Sequence, residues 1–142
     1  MLQLEARKLF RANGLIDDFV IYGTAGDYEE FAKAVESARS GKTPIKLATS
    51  SSISVEISLG KGEETELFTS LQNARNEYLS MEDWEGRNIL RVVGGKQALQ
   101  ELYLFLGTLA TRKEGYSYLS EYSKSHTYSS ISPEVRLHVE NT

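Results

Sequence analysis

The stretch Asn88–Gly115, NILRVVGGKQALQELYLFLGTLATRKEG, decides the fold of this chain. Ile89, Leu90, Val92 and Val93 form an apolar, branched run of the kind that makes a largely buried strand, and Gly94 and Gly95 stop it. From Lys96 to Arg112, Leu99, Leu102, Tyr103, Leu106, Leu109 and Ala110 recur at the three- and four-residue spacing of one helical face. Gly115 marks the end of that helix. Beyond it Tyr116, Tyr118 and Tyr122, then Val135, Leu137 and Val139, alternate with polar neighbours as half-buried strands do. The unit from Asn88 to Glu140 is therefore strand, helix, strand, strand.

The first half of the chain shows the same order. Leu2 and Leu4 alternate in a short edge strand, and Ala12, Asn13 and Gly14 signal a turn into a second strand over Phe19–Tyr22. Asp27, with Glu30 three residues on, reads as a capping box opening a helix with the stripe Tyr28, Phe31, Ala32, Val35 and Ala38. Gly41 and Pro44 end it. Strands at Ile45–Thr49 and Ile53–Leu59 follow, the second alternating cleanly. A shift of 71 residues lays Phe19 on Leu90, Ile21 on Val92, Gly23 on Gly94, and the first helical stripe on Leu99, Leu102, Tyr103, Leu106 and Leu109. It also lays Ile45 and Leu47 on Tyr116 and Tyr118; Val55–Leu59 then matches Val135–Val139 across a longer loop. The offset describes either a duplication or two units that merely share strand-helix spacing.

The expected fold is α+β: a mainly antiparallel sheet with the helices packed on one face, the first strand of each unit lying centrally. The chain divides into a pseudo-repeat over about 15–60, an acidic connector over 61–87 and a second pseudo-repeat over about 88–140. Leu67, Leu71, Ala74 and Tyr78 in the connector fit a helix running from Glu64 to Leu79.

At 142 residues and 40% hydrophobic content, one globular domain is expected. No apolar run reaches the roughly 18 residues of a membrane span, and no leader pattern opens the chain, so a cytoplasmic, soluble protein is the default expectation. The absence of cysteine excludes disulfides, thiolate catalysis and Cys-based zinc sites. Sixteen basic against twenty acidic residues leave a net charge of −4, which does not supply the basic face that nucleic acid requires. The acid is concentrated. Glu63, Glu64, Glu66, Glu77, Glu82, Asp83 and Glu85 face Arg75 alone between Glu63 and Gly86.

Candidate sites are few, and each has a plainer reading. Gly94, Gly95 and Lys96 could hold an anion at a helix N-terminus, but a tight strand-to-helix turn accounts for both glycines. His126 and His138 are the only histidines, too few for a zinc site without carboxylates. His138 falls on the wet face of the last strand and His126 in a polar loop. Tyr116, Tyr118, Tyr122 and Tyr128 cluster within thirteen residues and suit either a contact surface or sheet packing. With His126, the first three could line a small-molecule cleft between the halves. Leu104 lies off the main helical stripe and, with Phe105, marks a second buried side or a homodimer contact. Trp84, ringed by Glu82, Asp83 and Glu85, is either a core residue in a solvated loop or an anchor for a basic partner. Tyr122, His126 and Glu134 could be drawn into an acid-base set, the weakest of these readings. No cofactor or metal is expected.

Leu99, Leu102, Leu106 and Leu109, then Ser125, His126 and Thr127, then the run Ser132, Pro133, Glu134, Val135, Arg136, Leu137, His138 and Val139 resemble a family of small immunity proteins of bacterial polymorphic-toxin systems. The resemblance covers the last third of the chain. It implies a cytoplasmic, non-enzymatic protein that binds and blocks a cognate toxin. Composition alone suggests something compatible: an acidic segment (Glu63, Glu64, Glu66, Glu82, Asp83, Glu85) suited to charge-steered binding of a basic protein.

Overall fold

The computed structural model describes residues 1–11, 14–41, 43–60, 66–72, 88–112, 114–123, 127–128 and 134–140. In chain order the elements are β1 (Gln3–Arg11), β2 (Gly14–Gly23), α1 (Ala25–Ser40), β3 (Ile45–Leu47), β4 (Ser54–Leu59), β5 (Glu66–Gln72), β6 (Ile89–Gly94), α2 (Lys96–Leu109), β7 (Gly115–Tyr118), β8 (Thr127–Tyr128) and β9 (Glu134–Val139), with a 3-10 turn at Leu119–Glu121. The fold is α+β, and β2 and β6 are internal strands. In place of a single sheet there are two. The first runs β1-β2-β9-β7; the second runs β3-β4-β6-β5, with the two-residue β8 added beside β5.

Two parallel pairings explain this. β9 lies beside β2, Asp18 opposite Glu134 through Gly23 opposite Val139, and β4 lies beside β6, Ser54 opposite Ile89 through Leu59 opposite Gly94. Each half thus lends one antiparallel pair, β3/β4 or β7/β9, to the sheet that holds the first two strands of the other. A shift of 71 for β2 and of 80 for β4 converts one pairing into the other without slippage. The closing hydrogen bonds repeat as well: the Glu140 N–H donates to the Gly23 carbonyl, and the Gly60 N–H to the Gly94 carbonyl, both at 2.8 Å. A side chain at Gly23 would meet Leu2, Asp27 and Tyr28; one at Gly94 would meet their counterparts Leu67, Ala98 and Leu99. Here glycine admits the close approach of helix to strand. The offset of β3 and β7 is corrected by the structure. Ile45 stands opposite Ile57, whereas Ser117 stands opposite Leu137 and Tyr116 opposite His138, so Ile45 corresponds to Ser117, a shift of 72.

Helices α1 and α2 pack on each other, and one cluster of buried residues joins them to both sheets, including Ile21, Val55, Ile57, Leu90, Val92, Val135 and Leu137. Tyr28, Phe31, Val35, Leu99, Leu102 and Leu106 fill its middle from the helices.

Helix α1 starts earlier than a cap at Asp27 would place it. β2 continues to Gly23, and Thr24 is the N-cap: its hydroxyl accepts from the Asp27 N–H at 3.2 Å while the Asp27 carboxylate accepts from the Thr24 N–H at 2.9 Å. Partial burial pushes the Asp27 carboxyl upward, but the Met1 amine 2.8 Å away and the bonds from Thr24 outweigh it and hold the group below its ordinary value. Replacing Thr24 by Ala is expected to cost about 1 kcal/mol in urea unfolding, with no change in the slope of the transition.

The helical connector is also corrected. Glu66–Gln72 is strand β5, antiparallel to β6, with Leu67 and Thr69 buried and Glu66, Phe68 and Ser70 half-buried between them. Leu67 and Leu71 are four apart, a spacing compatible with either period, and the Phe68-Thr69 pair favours the strand. Residues 73–87 lie outside those described.

An aromatic row on the outer face of the first sheet as candidate functional site

Along β2, β9 and β7, Ile21, Leu137 and Ser117 point to the core and are buried, so Tyr22, His138 and Tyr116 fall on the opposite face. The register sets these three side by side across the strands. The His138 ring lies between two others, its centroid 5.1 Å from that of Tyr22 and 5.5 Å from that of Tyr116, the latter pair stacked. Tyr118 meets Tyr116 edge-on at 5.9 Å. In the next row Arg136 stands between Val20 and Tyr118, its guanidinium carbon 5.9 Å from the Tyr116 ring centroid. The Nε of Arg136 is buried and has no hydrogen-bond partner among the described residues. Tyr116 is 55% exposed, one of the large apolar side chains most open to solvent. The result is a broad aromatic face with one guanidinium, built from both halves of the chain.

The second sheet provides an internal control. At the positions equivalent to Tyr22 and His138 it carries Val93 and Ser58, and at those of Val20 and Arg136 it carries Arg91 and Glu56. Those two close an ion pair at 3.4 Å, with side chains 22% and 16% exposed. One frame therefore presents two different faces: an ion-paired one on the second sheet and an aromatic one on the first.

Of the residues expected to line a cleft, the described ones, Tyr116, Tyr118 and Tyr122, do not share one face. Tyr116 and Tyr118 share the aromatic face, but Tyr122 follows the 3-10 turn and is buried in the core. Burial, then the nearby carboxylates of Glu101 and Glu66, push its phenol up to about 12 against a backbone hydrogen bond from Leu67. The Tyr128 hydroxyl is hydrogen-bonded to that of Thr69, so it too serves packing. His126 lies outside the described residues, as do Glu63, Glu64, Glu82, Asp83, Trp84 and Glu85. Glu66 is a half-buried residue of β5. Glu134 opens β9, and with His126 outside the described residues the acid-base set acquires no geometry. Among the described residues no three His, Asp or Glu side chains are grouped to hold a metal ion.

Gly94 and Gly95 open α2 without a side-chain cap, and both are buried. The close approach of Leu67 and Ala98 accounts for Gly94. Leu104 is 55% exposed on the rim of an open groove of about 540 Å³ between α1 and α2, lined also by Glu29, Lys33, Tyr103, Gly107 and Thr108. Phe105 is half-buried and packs against the core.

Tyr22 and Arg136 were not singled out by sequence reasoning. The alternation of β2 and β9 puts both on a wet face, but only the parallel register shows that they adjoin Tyr116. No family model, curated protein or solved structure matches this chain. No described helix is long and apolar enough to cross a membrane.

Proposed function

We propose that this chain is a non-enzymatic protein-binding module whose contact surface is the outer face of the first sheet, with Tyr116 and Arg136 as anchors. The carrying observation is the contrast between the two sheets: the second closes its face with Glu56 and Arg91, while the first carries half-buried rings and a guanidinium beside the exposed Tyr116. Tyrosine and arginine supply most of the energy in protein interfaces because they bury large, semi-rigid area. The acidic stretch Glu63–Glu85 suits a basic partner through long-range steering. A toxin-blocking protein of the immunity type is the biological form implied by the resemblance of the last third.

The test is a pull-down from the native source at low salt, with the intact chain as bait. A single partner recovered by the intact chain should be lost with Tyr116→Ala, an expected weakening of about 2 kcal/mol, or roughly thirty-fold. Charge reversal of Glu82, Asp83 and Glu85 to Lys should slow association and flatten its salt dependence. A partner indifferent to both Tyr116→Ala and Arg136→Ala would remove this face from consideration.

A further inference from the structure

The strongest interaction surface visible in this molecule is the one between its own halves, and it is independent of the binding reading above. Taken alone, the described residues of 1–60 hold only the antiparallel pairs β1/β2 and β3/β4; those of 66–142 hold β5/β6 and β7/β9, with two-residue β8 against β5. Two-stranded ribbons are marginal in water, and each would leave one edge of β2 or β6 unpaired. The contacts that turn ribbons into sheets all cross between the halves. They are the six-residue registers β2/β9 and β4/β6, the α1–α2 packing, the Glu56–Arg91 ion pair and the Tyr28 hydroxyl, which donates to the His138 carbonyl at 2.7 Å. The apolar positions that close each sheet are alike: Val55, Ile57 and Leu59 on β4, Val135, Leu137 and Val139 on β9.

We propose that the chain is a pair of mutually completing halves, 1–60 and 66–142, each the binding partner of the other, held by reciprocal strand exchange and not by the connection that joins them. Such an arrangement is a twofold dimer of strand-strand-helix-strand-strand units written on one polypeptide. The aromatic face straddles the seam, Tyr22 coming from one half and His138, Tyr116 and Arg136 from the other, so it exists only while the halves are joined.

The experiment is to place a protease recognition sequence between Gly60 and Glu66 of the full chain, cut it, and follow the nicked protein by gel filtration and thermal unfolding. The halves should co-elute at the volume of the intact chain at micromolar concentration. They should melt in one transition whose midpoint rises by several degrees for a tenfold increase in concentration, because unfolding has become dissociation. Tyr28→Phe removes one bond across the seam and should weaken the nicked complex about tenfold while leaving the uncut chain folded. Separation of the halves under native conditions, or two transitions independent of concentration, would overturn the proposal. A second readout covers an inserted site that is poorly tolerated. In the unmodified chain, amide exchange of β4 and β9 should require the same opening free energy as that of β6 and β2. Independent exchange of 1–60 and 66–142 would be decisive against it.

Discussion

Phe31→Ala is expected to lower stability by about 3–5 kcal/mol, and Leu102→Ala, at the equivalent place in the second helix, by about 2–5 kcal/mol. Both side chains are essentially inaccessible, at 1% and 0% exposure, and both belong to the single cluster joining the helices to the two sheets. Phe31 shares that cluster with Tyr28, Ala32 and Val35 of α1 and with Leu99, Leu102 and Leu106 of α2, and the two helices pack on each other. A cavity opened there lies between rigid elements that cannot close over it, so the transfer cost and the void add. A domain of this size has about 5–15 kcal/mol in all, so either variant is left near the edge of folding. Urea midpoints read by fluorescence and by far-ultraviolet circular dichroism should fall together in each variant. Loss of structure in one half only, with the other half's signal retained, would contradict a shared core.

Alkaline destabilisation is the second large effect. Tyr28 is fully buried, and desolvation, followed by the charges of Glu140 and Asp27, drives its phenol far above the ordinary tyrosine value; Tyr122 is raised to about 12. Both groups bind their proton more tightly in the folded state than in the unfolded chain, where the value is about 10. Their contribution is therefore complete below about pH 10. It is lost as pH rises from there towards each folded value, with a slope approaching roughly 1.4 kcal/mol per pH unit for each tyrosine. Stability measured at pH 9, 10 and 11 should be level over the first interval and fall over the second. Tyr28→Phe and Tyr122→Phe should each remove one share of that slope. A curve equally steep in both variants and the unchanged chain would assign the alkaline loss to other groups.

Much of the architecture was legible because it rests on local periodicity. The branched run at Ile89–Val93 and the leucine stripe of α2 identify a buried strand and its helix, and the 71-residue offset brings Phe19, Ile21 and Gly23 into line with Leu90, Val92 and Gly94. Periodicity carries no information about which strand lies beside which. Val135, Leu137 and Val139 look the same whether β9 pairs only with β7 of its own half or, as it does, also with β2. Hence one sheet was expected where there are two. At Leu67 and Leu71 the helical and strand periods coincide, and the shorter element prevailed. The candidate face was half legible: Tyr116, Tyr118 and His138 stood out by type, but Tyr22 and Arg136 join them only through a register set more than a hundred residues away.

The extra residue between α2 and β7 decides which way the tyrosines look. Counted from the equivalent positions Ser40 and Thr111, four residues lead to Ile45 and five to Ser117, the second path passing through Gly115 at a φ of 125°, where a side chain would be strained. Had the link kept the shorter length, the alternation of β7 would be inverted: Tyr116 and Tyr118 would be directed inward and Ser117 outward. Loop length, a trait that varies by single insertions and deletions, thus acts here as a selector of surface chemistry. Removing one residue from that link would be a route to a protein of nearly identical composition whose aromatic side has been turned into filling.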